Sequence, residues 1–359
     1  MERTPSVLVA MSGGVDSSVA AALLHEQGYH VVGEHMKLVH LDGVDHGCCG
    51  PRAEADAAAV AEIVGFEFRV IDMSETFERT VLADFFDEHR TGRTPNPCVR
   101  CNEHIKFGAF LDRAERLGVD QVATGHYVRT WRSGDGRWHL GRGLDRSKDQ
   151  SYVLHTLSQR ALGRSLFPVG GQTKAETRAH AQRLGLPVAG KPDSQEVCFV
   201  PGADHAAFLE RHAPDLVKAG EVVDPQGQPL AEHRGTFRFT VGQRRGLGVS
   251  TGERLYVVDI DREAERVVVG PEELLARGGL EADRVSWVAG HPPPEAPFEG
   301  SVRIRYRGED VPSVIGPVGA DRALVEFRSP QRAVAPGQSV VFYRGDEVLG
   351  GGRILEARR

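Results

Sequence analysis

Val7-Leu8-Val9-Ala10-Met11-Ser12-Gly13-Gly14-Val15-Asp16-Ser17-Ser18 joins a short apolar run to a helical pattern through two glycines. Five apolar residues closed by a turn suit a strand buried on both faces, and a strand feeding a helix opens an α/β unit. Gly13 and Gly14 let backbone N–H groups approach an anion, while the helix N-terminus adds the positive end of its dipole. A Walker loop needs a lysine ahead of its Ser/Thr, and this loop has none. It therefore suits a pyrophosphate group rather than the terminal phosphates of a hydrolysing NTPase, with Asp16 as a candidate Mg2+ ligand. A plain strand-to-helix turn with a polar cap is the competing reading.

Outward from this stretch, Asp16–Gln27 reads as an amphipathic helix stopped by Gly28, and His30–Met36 as a strand. Ala53–Val64 reads as a helix ended by Gly65, and Phe66–Ile71 as a third strand. Glu75–Arg90 is expected to be helical, Gly92–Asn102 a loop bearing Pro and Cys, and Glu103–Leu117 helical again. Val119–Thr124 is a fourth expected strand, ending at Gly125-His126-Tyr127, before a hairpin that turns at Gly134-Asp135-Gly136. Further helices are expected over Gln150–Leu157 and Lys174–Leu184. Beyond about residue 215 short strands alternate with Gly/Pro turns: Thr236–Val241, Leu255–Ile260, Arg266–Val269, Val302–Tyr306, Ala323–Phe327 and Ser339–Tyr343. The expected organisation is a doubly wound parallel-sheet α/β domain over 1–214, a small central β domain over 215–278 and a C-terminal β-barrel over 279–359.

At 359 residues, 40% of them apolar and 26% charged, the chain has the composition of an ordinary globular protein of two or three domains. The N-terminal apolar run is too short for a signal core or a membrane span, so a cytoplasmic protein without a membrane partner is expected. Five cysteines, with Cys48 and Cys49 adjacent, do not suit a disulfide framework and point to working thiols. A net charge of −6 taken alone argues against nucleic acid, although a local basic face can carry such a contact. Lysine is scarce: 6 of the 44 basic residues, most of them in or beside the motifs below.

Ser12–Ser18 resembles the pyrophosphatase loop of the adenine-nucleotide alpha-hydrolase-like superfamily, whose members split ATP to AMP and pyrophosphate to adenylate a substrate. Further along stand Gly92-Arg-Thr-Pro-Asn-Pro-Cys-Val-Arg-Cys-Asn102, Ile105-Lys-Phe107, Thr124-Gly-His-Tyr127 and Lys148-Asp-Gln-Ser-Tyr152. Asp193-Ser-Gln-Glu-Val-Cys-Phe199, Thr240-Val-Gly-Gln-Arg-Arg-Gly-Leu-Gly248, Arg305-Tyr-Arg307 and Pro336-Gly-Gln338 follow. With these motifs the chain resembles the tRNA-specific 2-thiouridylases nearly from end to end. The first motif indicates the superfamily; the two cysteine motifs and Lys148-Asp149-Gln150 make the resemblance specific.

The resemblance implies ATP and Mg2+ as cofactors, with Ala10, Met11, Ser12, Gly13, Gly14, Val15, Asp16, Ser17, Met36 and Gly125 around the nucleotide. It implies tRNA as substrate, with Lys, Glu and Gln acceptors. The implied RNA contacts are Asn96, Pro97, Cys98, His126, Lys148, Asp149, Gln150, Arg305, Tyr306 and Gln338. Cys198 is implied as the carrier of a persulfide, delivered by a sulfur-carrier protein. Cys101 is implied as the thiol that releases this sulfur, leaving a Cys101–Cys198 disulfide.

The residues read by themselves agree with much of this. Cys101 and Cys198 each follow turn formers in polar stretches, whereas a structural cysteine sits inside an apolar periodic segment. Thiolates near Arg100, Lys106 and a nucleotide's Mg2+ are reactive candidates, with inert thiols the alternative. A pyrimidine C2 carbonyl is a poor electrophile; adenylating O2 turns it into AMP, which sulfur adding at C2 can expel. The base must leave its stack to be reached, and His126 with Lys148–Gln150 lies at the edge where open α/β sheets bind ligands. His126 as an ordinary loop histidine stays open.

Cys98 stands where many relatives carry Asp. Cys98, Cys101 and Cys198 form a set that could hold an iron–sulfur cluster, or zinc with a fourth ligand, and the persulfide relay is preferred to either. Val302-Arg303-Ile304-Arg305-Tyr306-Arg307 alternates, so a strand there presents three arginines on one face, to a phosphate backbone or to solvent. Two rival functions are an adenylating ligase or amidotransferase for a small metabolite, and a nucleotide-sensing or RNA-binding module without turnover. Both leave the two thiols without a task.

Overall fold

β1 (Ser6–Ala10) is buried along its whole length, as an unbroken apolar run requires of a central strand. It pairs in parallel with β2 (His30–Lys37), which pairs with β3 (Glu67–Asp72). On its other side β1 pairs with β4 (Gln121–Ala123). After a hairpin of β5 (Val128–Arg132) and β6 (Trp138–Arg142), β7 (Ser165–Leu166) completes a parallel sheet in the order β3-β2-β1-β4-β7. The strand order reverses between β1 and β4, the switch point where doubly wound sheets bind ligands at their carboxyl edge. The computed structural model describes residues 4–39, 50–193, 197–200, 202, 204–249 and 252–359.

α1 (Val15–Glu26) and α2 (Pro51–Val64) follow the first two strands, and α2 stops at Gly65, whose φ of 89° is left-handed. The helix expected over 75–90 forms as α3 (Ser74–Phe77), a π-turn over Glu78–Leu82, and α4 (Ala83–Arg90). The loop expected over 92–102 is half helical. Its α5 (Pro97–Cys101) opens with proline at the first helical position, where a missing N–H costs nothing, and runs through a π-turn into α6 (Phe110–Arg116). Reading Pro97 as a turn former hid that start. The segment 150–157 holds a short 3-10 turn, Ser151–Leu154, rather than a helix. α7 (Gln159–Gly163), α8 (Lys174–Arg183) and α9 (His205–His212) follow.

β8 (Gly220–Val223), β9 (Pro229–His233), β10 (Tyr256–Asp261) and β11 (Arg266–Gly270) then form a separate sheet. The strand expected at 236–241 is a 3-10 turn at Thr236–Arg238, closed by the Phe239 N–H to Thr236 O bond of 3.0 Å. β12 (Ala276–Trp287), β13 (Phe298–Arg303), β14 (Val311–Val318), β15 (Arg322–Arg332), β16 (Ser339–Arg344) and β17 (Glu347–Arg358) make the last sheet, in the order β12-β15-β14-β13-β16-β17. β12 pairs back to β17 and closes a barrel around Leu280, Val302, Ile315, Phe342 and Ile354.

Two features depart from the sequence reading. The hairpin β5–β6 joins the barrel: Gly141 and Leu140 pair with Glu347 and Val348 of β17. The alternating strand over 302–306 ends at Arg303, because the chain turns with Gly308 N–H donating to Arg305 O at 3.0 Å. Arg305 and Arg307 therefore share no strand face with Arg303. Among the described residues, no helix is long and apolar enough to cross a membrane.

Candidate active site

At the carboxyl end of β1, Met11 N–H donates to Glu34 O at 2.8 Å and sets the start of the glycine loop. Gly13 has φ 65°, and a Cβ there would sit 2.2 Å from Ala53 O, so glycine alone lets the loop lie on α2. Ser17 Oγ accepts from Ser12 N–H (3.2 Å) and lies 3.1 Å from Ser12 Oγ. No side chain caps α1 at Gly14. Its first-turn N–H groups thus lack an intrahelical partner and a capping oxygen, the condition under which an anion is held. Gly125 closes the other side of the switch point: a Cβ there would lie 2.5 Å from Asp16 C and Ser17 N. Ala10 and Met36 are buried at the ends of their strands.

Positive side-chain charge reaches this loop from distant segments. Lys174, the first residue of α8, has Nζ 2.7 and 2.8 Å from the two Asp16 oxygens and 2.7 Å from Asp193 Oδ1. Lys191 donates to Gly13 O (2.9 Å) and Asp56 (2.7 Å), and Lys148 donates to Asp193 Oδ2 (2.8 Å). Burial alone would raise the Asp193 pKa; the hydrogen bonds from Lys148 and Lys174 outweigh it and pull it down to about 2. Tyr127 OH also donates to Asp16 (2.8 Å), and burial, reinforced by that carboxylate, lifts the phenol pKa well above its ordinary value. Lys174 and Lys191 were not among the expected site residues. The scarcity of lysine was the signal that could have found them, since half of the 6 in the chain converge here.

Asp16 fits a Mg2+ ion as a single carboxylate ligand beside nucleotide phosphates, the way this ion is often held. Among the described residues no group of three His, Cys, Asp or Glu gathers closely enough to hold a metal.

Cys101 corrects the polar-loop expectation: it is 8% exposed, in an apolar cluster with Val99, Ile105 and Phe110. Cys198 is half-buried against the same cluster. Phe199 anchors its segment, meeting Phe77 and Phe85 edge-on at 5.5 and 5.4 Å. Cys98 is exposed. Ser194–Glu196 of the second cysteine motif, and Cys48 and Cys49, lie outside the described residues.

The residues expected to face RNA divide into two sets. His126 is 7% exposed with Nδ1 2.8 Å from Thr124 Oγ1; burial, then the Lys106 charge, lowers its pKa well below the ordinary value. Asp149 is 6% exposed and accepts from Ser151 Oγ and Arg303 Nη1, both at 3.0 Å. Buried Arg142 stands 3.6 Å away, over the Tyr343 ring and paired with Asp310. Gln150 Oε1 accepts from Tyr127 N–H at 3.0 Å. His126 and Asp149 are therefore largely buried.

Gln338 donates to Thr94 O at 2.8 Å, and a Cβ at Gly337 would lie 2.7 Å from Thr94 N, so Pro336–Gln338 clasps the segment leading to Cys98. The second set is nearer solvent: Cys98, Arg305 and Tyr306 are exposed, and Lys148 and Asn96 half-buried, while Pro97 beside them is buried. The Tyr306 ring lies 6.1 Å from that of Tyr152; partial burial raises its phenol pKa, and the charges of Asp149 and Cys98 raise it further.

Three family models match the chain in succession. The one described as a tRNA methyl transferase HUP domain covers residues 5–202, a tRNA methyl transferase PRC-barrel domain 206–271, and an aminomethyltransferase beta-barrel domain 277–354. The chain is similar to the tRNA-specific 2-thiouridylase MnmA of Geobacter metallireducens, at 50% identity over 97% of this chain and 96% of that one. It is also similar to the protein of that name from Symbiobacterium thermophilum, at 46% identity over 98% and 92%. Among solved structures, a 4-thiouridine synthetase–RNA complex with bound ATP shows a distant likeness, with 16% identity and a TM-score of 0.36 over 58% of this chain and 49% of that one.

Proposed function

This chain belongs to the tRNA-specific 2-thiouridylase family and is a tRNA-uridine sulfurtransferase; we propose that it adenylates the C2 oxygen of the wobble uridine with ATP and replaces it with sulfur. One observation carries the adenylation step: the uncapped first turn of α1, with Lys174 at Asp16 and Lys191 at Gly13. Backbone donors and two ammonium groups suit the charge that develops on departing pyrophosphate. Uridine O2 attacks the α-phosphorus, the bond to the bridging oxygen breaks, and pyrophosphate leaves. A Mg2+ ion at Asp16 would supply further neutralisation of phosphate charge.

Sulfur arrives on Cys198 as a persulfide from a carrier protein. The Cys101 thiolate attacks Cys198 Sγ, the terminal sulfur leaves as hydrosulfide, and a Cys101–Cys198 disulfide forms. Hydrosulfide adds at C2 and AMP departs with the former O2. An external dithiol, itself oxidised, restores both thiols.

With labelled ATP and tRNA, AMP and pyrophosphate are expected in equal amounts; stoichiometric ADP would overturn the adenylation step. Cys101→Ser and Cys198→Ser should each abolish thiolation, while Cys98→Asp keeps most of it. A brown, iron-containing protein after anaerobic purification, inactive once Cys98 is replaced, would favour a cluster over the relay.

A further inference from the structure

Thr240-Val-Gly-Gln-Arg-Arg-Gly-Leu-Gly248 takes no part in the chemistry above, yet its backbone is held at every turn. Gln243 Oε1 accepts from Thr240 N–H (3.0 Å) and its Nε2 donates to Arg245 O (2.9 Å). Gly242 N–H donates to Val257 O (2.8 Å) and Val257 N–H to Gln243 O (2.9 Å), tying the loop to β10. Gly242 and Gly246 have φ of 90° and 76°, and Leu247 is buried in the core of the central sheet. Two guanidinium groups stay outside this frame. Arg244 and Arg245 are exposed, and neither forms an ion pair or side-chain hydrogen bond among the described residues.

The loop stands where the three parts of the chain meet. Thr94 Oγ1, in the segment leading to Cys98, donates to Thr240 Oγ1 at 3.1 Å. Gly242 presses on the barrel: a Cβ there would lie 2.3 Å from Ala333 Cβ, in the link between β15 and β16. Beside this contact runs an open groove of about 390 Å³, lined by Gly242, Leu275, Arg305, Pro330, Arg332 and Ala333 among others. Its described lining includes two arginines and no carboxylate, although Arg332 itself pairs with Glu272.

We infer that the Arg244–Arg245 loop and this groove hold the phosphodiester backbone of the tRNA, at a contact separate from the target base. The inference rests on the tRNA-substrate reading above. Guanidinium forks match phosphate oxygens bidentately. An unpaired arginine on a rigid loop breaks no ion pair and gives up little backbone freedom when it binds. On a chain of net charge −6 a local cationic surface is what draws in a polyanion.

The test measures tRNA binding by the full-length protein across a salt series, for wild type, Arg244→Ala/Arg245→Ala and Arg244→Lys/Arg245→Lys. Two lost phosphate contacts should flatten the slope of log Kd against log salt by about 2 and weaken binding about tenfold or more, and the lysine pair should keep the slope. An alanine variant with the wild-type slope overturns the inference and leaves the sulfurtransferase reading standing. Wild-type protein that does not bind tRNA overturns both. An unchanged slope, with thiolation lost when a carrier protein supplies sulfur but kept with inorganic sulfide, assigns the arginines to the carrier and also overturns the inference.

Discussion

Lys174 stands against the rule for its position. A cation in the first turn of a helix opposes the dipole by about 0.3–1 kcal/mol, and α8 offsets this with a Thr173–Glu176 capping box. The side chain is placed for Asp16 and Asp193, which hold its ammonium beside the α1 N-terminus. Phosphates arriving at that turn compete with the two carboxylates for it. Lys174→Met is expected to slow pyrophosphate release about a hundredfold, as loss of a charge stabiliser does, and Lys174→Arg to slow it less. Single-turnover kinetics read both; an unchanged rate would make Lys174 a structural clamp. Nothing near Lys174 in sequence announces this role, because its partner Asp16 lies 158 positions away.

At the scale of elements, the site depends on how closely β4 and α1 approach. A methyl at Gly125 would meet backbone atoms of Asp16 and Ser17 at 2.5 Å, and backbone cannot swing aside as a side chain can. Gly125→Ala should therefore destabilise the protein by about 1–3 kcal/mol, as overpacking does, and weaken nucleotide binding together with it. Gly171→Ala is the control, since nothing lies within 4 Å of its added carbon. Thermal melting with and without ATP separates the two; equal behaviour would mean the strand end yields freely. The strand–loop–helix at this point was legible because its signals are local. α5 was not, because Pro97 serves equally as a turn former and as the first residue of a helix.

Across the whole molecule, the N-terminal domain and the barrel meet around a cavity of about 40 Å³, lined by Asn96, Arg100, His155, Arg284, Ser339 and Arg353 among others. His155 is buried there with both ring nitrogens unpartnered, and burial, then the Arg100 charge, lowers its pKa to about 3. His89 falls to about 4 through burial and the nearby His205. Below the ordinary histidine pKa of about 6.5 the unfolded chain takes up these protons and the folded chain does not. The stability involved is present above pH 6.5 and drains away as pH falls toward the folded values. Between pH 6 and 4, His155→Asn should make the fall in stability shallower by about 1.4 kcal/mol per pH unit, one proton's worth. Denaturant unfolding over a pH series decides it; parallel curves would mean His155 is protonated in the folded state.

The sequence by itself determined what is written within a few residues: the glycine loop between β1 and α1, the Gly65 stop, the β5–β6 hairpin and the change to β structure in the last third. Its motifs also pointed to the family. Tertiary structure alone decided that Lys174 and Lys191 reach the loop, and that Cys101, His126 and Asp149 are buried. It also decided that the hairpin docks on β17 and that Gln338 clasps Thr94. The reason is physical. Capping, turns and periodicity are settled by neighbours one helical turn or one strand step away. Burial and ion pairing depend on which distant segments the packed core brings together, and no local pattern encodes that.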